Sequence, residues 1–147
     1  MCARQSLVLI GWREWAALPD LGAARIGAKI DTGAKGSALH ATKIKEFETG
    51  GVRHVEFWLQ TLQGDEQREI FCHAPIAGKR LIKSSNGLEE ERIVIETDLR
   101  LGEHRWKIDL TLANRETMEF ALLIGRDALG GKFRIDPAAS YQLERDQ

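Results

Sequence analysis

Residues 28–39, AKIDTGAKGSAL, place one carboxylate where an apolar strand meets a turn that contains glycine. Thr32 and Gly33 follow Asp31 at once, so the Asp31 side chain stands at the tip of a loop. A carboxylate in that position can act as a general acid or base. Asp beside Gly is also ordinary turn chemistry. The stretch alone leaves both interpretations open.

The composition of the 147-residue chain is that of a soluble globular protein. Hydrophobic residues make up 43% and charged residues 29% of it, and the net charge is −1. That balance gives no reason to expect attraction to nucleic acid or to a membrane surface. Two cysteines, Cys2 and Cys72, do not make a disulfide framework, and the apolar run at 7–12 is too short for a signal sequence. We expect one cytoplasmic domain over residues 1–147.

Short strands separated by turn signals dominate the chain. Alternating apolar and polar residues predict strands at 24–30 and 106–112, and a continuous apolar run predicts a buried strand at 120–124. The pair Asn86-Gly87 is typical of a hairpin tip. Further strands are predicted at 7–11, 38–44, 52–62, 69–73, 79–83, 92–96 and 140–143, with a turn-rich segment at 13–22 and one or two helical turns within 126–133. This spacing indicates an all-β barrel or sandwich.

Two motifs in this order resemble the retropepsin-like, or retroviral-type, aspartic proteases. The first is Asp-Thr-Gly-Ala at 31–34, and the second is an apolar run that ends in Gly-Arg-Asp-Ala-Leu at 125–129. In that fold the apolar run passes beneath the Asp-Thr-Gly loop and a short helix follows. The resemblance implies a closed all-β barrel with one short C-terminal helix. It also implies a flap hairpin with its tip near Gly87, and makes the hairpin at 52–73 an insertion.

A wider pattern is similar to one bacterial family, whose members are labelled ATP-dependent zinc proteases and are often associated with RimK-type glutamate ligases. The matching stretches are GWREWAALPDLG at 11–22, KSSNGLEEER at 83–92 and LLIGRDALGGKFRIDPAASY at 122–141. One departure is Gly36, where the family more often carries Thr or a similar residue. Glycine there loosens the turn but removes no candidate catalytic group.

The residues do not favour the zinc and ATP of that label. The chain contains neither His-Glu-x-x-His nor a glycine-rich loop ending in Gly-Lys-Ser/Thr. His40, His54, His73 and His104 are scattered, without the spacing of metal ligands on one element. Cys72 beside His73 could be half of a metal site, but a strand Cys is more often a small buried hydrophobe. We expect no metal and no cofactor, and a packed or surface role for His40.

The resemblance implies that Asp31 is the catalytic acid and base. One chain offers one Asp-Thr-Gly, so the second carboxylate would come from Asp31 of a partner copy in a homodimer. Two carboxylates about 3 Å apart share one proton, because both cannot readily ionise. Thr32 would bond across the dimer axis, and Gly33 would bring a backbone amide near the carboxylate. Another acid, Asp127 or Asp136, remains an alternative source of the second carboxylate.

The resemblance also assigns the residues around this site. Those expected to bind substrate are Ala34, Lys83, Ser85, Asn86, Gly87 and Arg92. Those expected to support the loop or the interface are Ser37, Gly125 and Arg126.

A peptide or protein is the expected substrate. A basic rim of Lys35, Lys83, Arg92 and Arg126 would suit an acidic peptide, although the acidic run at 88–91 would repel one. The association with a glutamate ligase points to glutamate-rich tails, for example on a ribosomal protein. Two other functions stay open: a retropepsin-like module that binds peptide without turnover, and a zinc-dependent hydrolase.

Overall fold

The computed structural model describes residues 7–63, 66–83, 86–114 and 120–143. Most of these residues lie in strands. The strands are β1 (Val8–Leu18), β2 (Ala23–Ile30), β3 (Ser37–His40), β4 (Thr42–Thr49), β5 (Val52–Gln63), β6 (Glu66–Pro75), β7 (Gly78–Lys83), β8 (Glu89–Leu101), β9 (His104–Ala113), β10 (Leu122–Ile124) and β11 (Phe133–Ser140). A 3₁₀ turn covers Pro19–Leu21, and a helix of four residues, α1, covers Arg126–Leu129. The predicted all-β class with a short helix after the second motif is confirmed.

The strands form a curled sheet and a smaller one. The larger sheet has the order β11-β1-β2-β10-β3-β9-β8-β7, and the smaller has the order β4-β5-β6. Ala17 of β1 also pairs with Arg100 of β8, so the larger sheet curls round on itself through six strands. One residue pair makes this junction, and β11 and β7 lie outside the ring of six strands. Within the described ranges, no helix has both the length and the apolar character needed to span a bilayer.

One apolar core joins the two sheets. Ile108, Leu110 and Leu112 alternate along β9 with their side chains buried, as their period of two predicts. Phe57 and Leu59 of β5 belong to the same core cluster. Burying a side chain of this size contributes roughly 1.5–3 kcal/mol. The inserted sheet is therefore packed onto the barrel.

The first strand runs through the segment predicted to be turn-rich. β1 continues to Leu18, and the turn begins only at Pro19. Residues of β1 pair with β2, β11 and β8, so hydrogen bonds to three neighbours hold the segment extended. Tertiary pairing overrides the local turn signals here.

The last strand precedes the predicted one. β11 spans Phe133–Ser140 and contains Pro137, whereas 140–143 was expected. Proline is tolerated because β11 is an edge strand paired only with β1. Gly11 pairs with Asp136, and Arg13 pairs with Ser140, so the register shifts between these two pairs. Residues 137–139 form the bulge that contains the proline. The segment 38–44 is likewise divided between β3 and β4.

Both predicted hairpins are present, as β5–β6 and β7–β8. Their paired strands run in continuous register, with Gln63 opposite Glu66 and Lys83 opposite Glu89. Residues 64–65 and 84–85, at the two connections, lie outside the described residues. Ser85, one of the predicted substrate-binding residues, is among them.

A buried carboxylate joins the first strand to the end of the described chain. Glu14 is fully buried in β1. Its Oε2 accepts hydrogen bonds from the amides of Gly11, at 2.6 Å, and Gln142, at 2.8 Å, while Oε1 accepts from the amide of Leu143 at 3.1 Å. A buried carboxylate needs such donors. These bonds fix residues 142–143 against the barrel.

Replacing Glu14 by Gln should lower the free energy of unfolding by about 2–3 kcal/mol, because the new amide group cannot accept the same backbone donors. Urea unfolding followed by circular dichroism measures this change. Glu103→Gln, at an exposed position in the turn between β8 and β9, is the matched control and should stay within about 0.5 kcal/mol of the wild type. Equal stability of the two variants would contradict a structural role for Glu14.

Candidate active site

The Asp31 loop connects two strands that both pair with β10. β10 runs parallel to β2, with Ile124 opposite Ile30, and antiparallel to β3, with Leu122 opposite Leu39. The amide of Asp31 donates to the carbonyl of Ile124 at 2.9 Å. The three-residue strand therefore lies between the two arms of the loop and ends beneath its tip.

Gly125, the residue after β10, is packed against the returning arm of the loop. Its buried amide donates to Oγ of Ser37 at 3.0 Å. A Cβ at this position would overlap the carbonyl oxygen of Gly36 and lie 2.9 Å from that of Ala34. Only glycine permits this close approach of two backbones. The Ser37 carbonyl in turn accepts from Oγ1 of Thr111 at 3.3 Å, which ties the loop to β9.

The residues of α1 hold the outer side of the same loop. The amide of Arg126 donates to the Ala34 carbonyl at 2.9 Å. Nη1 of Arg126 lies 3.3 Å from the carbonyl oxygen of Thr32 and 3.4 Å from that of Gly33, both within hydrogen-bond range. The Arg126 side chain thus contacts the loop backbone and no carboxylate of the site, which suits a supporting residue.

The Asp31 carboxylate is half-buried and held by its own loop. Its Oδ1 accepts from the amide of Gly33 at 3.0 Å, and its carbonyl accepts from the amide of Ala34 at 3.2 Å. Thr32 and Gly33 are exposed at the tip. An anchored carboxylate beside exposed backbone can exchange protons with a ligand lying across the loop.

A cleft of about 630 Å³ opens beside this carboxylate. Asp31 shares the lining with three cationic side chains, Lys35 on the same loop and the β7–β8 pair Arg80 and Arg92. Asp127 is a second acid in the lining. The apolar part comes from Ala34, Ala38, Ile82, Ala113 and Leu123. Such a mixture of apolar wall and a few charges is typical of a ligand site.

The β7–β8 hairpin brings some of the predicted flap residues to the cleft and leaves others away from it. Arg92 lines it, whereas Lys83 does not. Residues alternate sides along a strand, so Lys83 faces away from the side that carries Ile82. Asn86 and Gly87 are exposed at the tip, with Gly87 at a φ of 84° and Oδ1 of Asn86 accepting from the amide of Leu88 at 3.2 Å.

Arg80 is the charged residue of the cleft lining that the sequence did not predict. It lies directly opposite Arg92 in the hairpin register. Arg80 and Arg92 are each six residues from Asn86. A hairpin centred on Asn86 therefore places them opposite each other, so this pairing could have been predicted from the position of the tip. A Cβ built at Gly36 would lie 3.4 Å from Nη1 of Arg80, so this guanidinium reaches the Asp31 loop.

The residues weighed for zinc lie apart from this cleft. Cys72 is buried in the core, where its Sγ donates to the Leu21 carbonyl at 3.3 Å. Burial raises the pKa of the Cys72 thiol to about 11, which keeps it in the neutral form that binds metal poorly. His73 is exposed. Among the described residues no cluster of three or more His, Cys, Asp or Glu side chains could hold a metal ion.

Replacing Ser37 by Ala should lower the free energy of unfolding by about 1–3 kcal/mol, because the buried Gly125 amide loses its acceptor. Urea unfolding measures the loss, and amide hydrogen exchange should show faster exchange at Gly125. Ser140→Ala removes the same hydroxyl at a half-buried position, where it accepts from Nε of Arg13 at 3.0 Å. This control should cost less than about 1 kcal/mol. Unchanged exchange at Gly125 would contradict the proposed support.

Two curated relatives have the name "Probable alpha-L-glutamate ligase". The relative from Desulfotalea psychrophila is 42% identical over 135 residues, which are 92% of this chain and 29% of the relative. The relative from Shewanella halifaxensis is 40% identical over 135 residues, which are 92% of this chain and 30% of the relative. The chain thus spans less than a third of the length of these relatives.

A solved structure and a family model match most of the chain. The crystal structure of a Legionella pneumophila protein of unknown function is 30% identical in sequence, with a TM-score of 0.76 over 94% of this chain and 99% of that one. The family model described as "Retropepsin-like aspartic endopeptidase RimB" matches residues 9–146. The match covers nearly the whole chain and includes the Asp-Thr-Gly loop that contacts β10. The chain therefore belongs to the RimB-like family of retropepsin-like aspartic endopeptidases.

Proposed function

We propose that this chain is one half of a dimeric aspartic peptidase that hydrolyses glutamate-rich peptides, with one Asp31 from each copy. The observation that supports this most is the Asp31 carboxylate, anchored by the Gly33 amide at 3.0 Å beside a cleft of about 630 Å³. Contacts from Gly125 and Arg126 to the loop hold the backbone that carries Asp31.

The reaction requires two carboxylates that share a proton. One Asp31 takes a proton from a water molecule as that water attacks the scissile carbonyl carbon. The other Asp31 donates its proton to the carbonyl oxygen, which gives a tetrahedral intermediate. Collapse of the intermediate breaks the C–N bond as the leaving amine takes up a proton. A two-fold axis through the Asp31 loops would supply both carboxylates from one sequence.

The substrate class is inferred from the relatives and from the charge of the cleft. A segment similar to this chain is part of longer proteins named as glutamate ligases. An enzyme that removes glutamate would act on the product of such a ligase. Lys35, Arg80 and Arg92 outnumber the two acids in the cleft lining, which suits an acidic peptide. A glutamate-tailed ribosomal protein is one substrate of this class, and a cytoplasmic location would suit it.

Replacing Asp31 by Asn should lower kcat/KM by at least about 100-fold, because the amide can neither take up nor donate the required proton. The measurement is mass spectrometry of a peptide with an oligoglutamate tail after incubation with each protein. Asp127→Asn is the matched control, since it removes the other acid of the cleft. It should reduce turnover without abolishing it. Abolition by Asp127→Asn, with Asp31→Asn still active, would contradict the Asp31 dyad.

The dimer has a separate test. Sedimentation of the active protein should give about twice the 16.5 kDa chain mass. In an equal mixture of wild type and Asp31→Asn that exchanges subunits freely, random pairing should leave about one quarter of the dimers with two Asp31 carboxylates. Activity should therefore fall to that fraction of the all-wild-type value. A fall to only about one half would show that each copy acts alone.

A further inference from the structure

Arg92 is a buried cation in the Asp31 cleft, and the part of the chain that the structure describes leaves it incompletely paired. The residue is 8% exposed and lines the cleft from β8. Its Nε is buried without a hydrogen-bond partner among the described residues. Oε2 of Glu90 lies 3.5 Å from its Nη2, but the Glu90 side chain is 63% exposed, so water competes for it.

The residue opposite Arg92 makes this arrangement less favourable still. Arg80 faces it across the antiparallel β7–β8 pair, and like charges in that position repel. Nη2 of Arg80 lies 3.7 Å from Oδ2 of Asp109, and both side chains are about half exposed. That partner lies outside the cleft lining. Burying an arginine beside another arginine does not stabilise the fold, which indicates that the pair has a different role.

The acidic run Glu89–Glu91 at the start of β8 does not neutralise these arginines. Glu91 lies on the other face of β8, where its carboxylate is 3.6 Å from Nζ of Lys79. The same Nζ lies 3.1 Å from a carboxylate oxygen of Glu46 on β4. Of the acids at 89–91, only Glu90 shares the face of Arg92. The repulsion expected from this run is therefore mostly directed away from the cleft.

We infer that Arg92 and Arg80 form a carboxylate-binding subsite of the cleft, which takes an acidic side chain of the bound peptide. A guanidinium presents a planar fork of N–H donors that matches a carboxylate. The ligand would supply the acceptor that Arg92 Nε lacks and would reduce the repulsion between the two arginines. This subsite names the residues that would select the substrate of the proposed peptidase, and its biological role rests on that proposed function.

Binding measures the subsite without requiring turnover. Asp31→Asn protein is titrated with an oligoglutamate-tailed peptide and with the oligoglutamine-tailed version, using fluorescence anisotropy. We expect at least about tenfold tighter binding of the glutamate tail, the effect of a few hydrogen bonds to a charged group. Adding Arg92→Gln should bring the two dissociation constants to within about threefold of each other. Arg68→Gln, at an exposed position on β6, is the matched control and should leave the preference unchanged.

A stability measurement separates a binding role from a structural one. Arg92→Met should leave the thermal midpoint unchanged or raise it, because an apolar side chain of similar length replaces an incompletely paired buried charge. A fall of more than about 5 °C would overturn the proposal by giving Arg92 a structural role. Arg80→Gln, at a half-exposed site, reports on the subsite without disturbing the core and should weaken the preference for glutamate.

The outcomes distinguish this proposal from the proposed function. Cleavage of both tails at equal rates by the wild type would overturn the subsite and keep the peptidase. A preference for the glutamate tail that depends on Arg92, without cleavage of either peptide, would overturn the peptidase and keep the subsite. A preference that persists in Arg92→Gln would overturn the subsite whatever the activity.

Discussion

The close packing of Gly125 against the Asp31 loop is the contact on which the site depends. Two backbones meet there with no room for a side chain, and the Ser37 hydroxyl satisfies the amide that this burial takes from water. The position of Asp31 is thereby set by β10, a strand of three residues held between β2 and β3. The half-buried Asp31 carboxylate keeps a fixed position because backbone contacts hold its loop.

The buried charge in the cleft has fewer hydrogen-bond partners than the buried charge in the core. Glu14 is buried with three backbone amides around its carboxylate, so it stabilises the fold. Arg92 is nearly as buried, yet its Nε has no partner among the described residues and its neighbour across the strands is Arg80. The first arrangement is complete in the free protein. The second would be completed by an acidic ligand, and it is found beside the one carboxylate of the Asp-Thr-Gly motif.

Local patterns predicted the elements whose signals agree with their surroundings. The period-two alternation at 106–112 lies within β9, and the Asn86-Gly87 pair lies at the turn between β7 and β8, so each local pattern agrees with the element in which it occurs. Prediction was wrong where long-range pairing decided the conformation. β1 passes through the turn signals at 13–22 because it pairs with three neighbours, and β11 accommodates Pro137 because an edge strand can bulge.

The sequence by itself determined the fold class, the family and the identity of the loop acid, since these depend on residue types in a fixed order. It did not distinguish Glu14 and Arg80 from surface charges, and it named Arg92 as a substrate-binding residue without showing that this side chain is buried. Only the tertiary structure decided that Glu14 is enclosed by amides from both ends of the described chain and that two arginines face each other beside Asp31. The burial of a side chain and the identity of its hydrogen-bond partners depend on segments that are distant in the chain, so a local sequence pattern does not predict them.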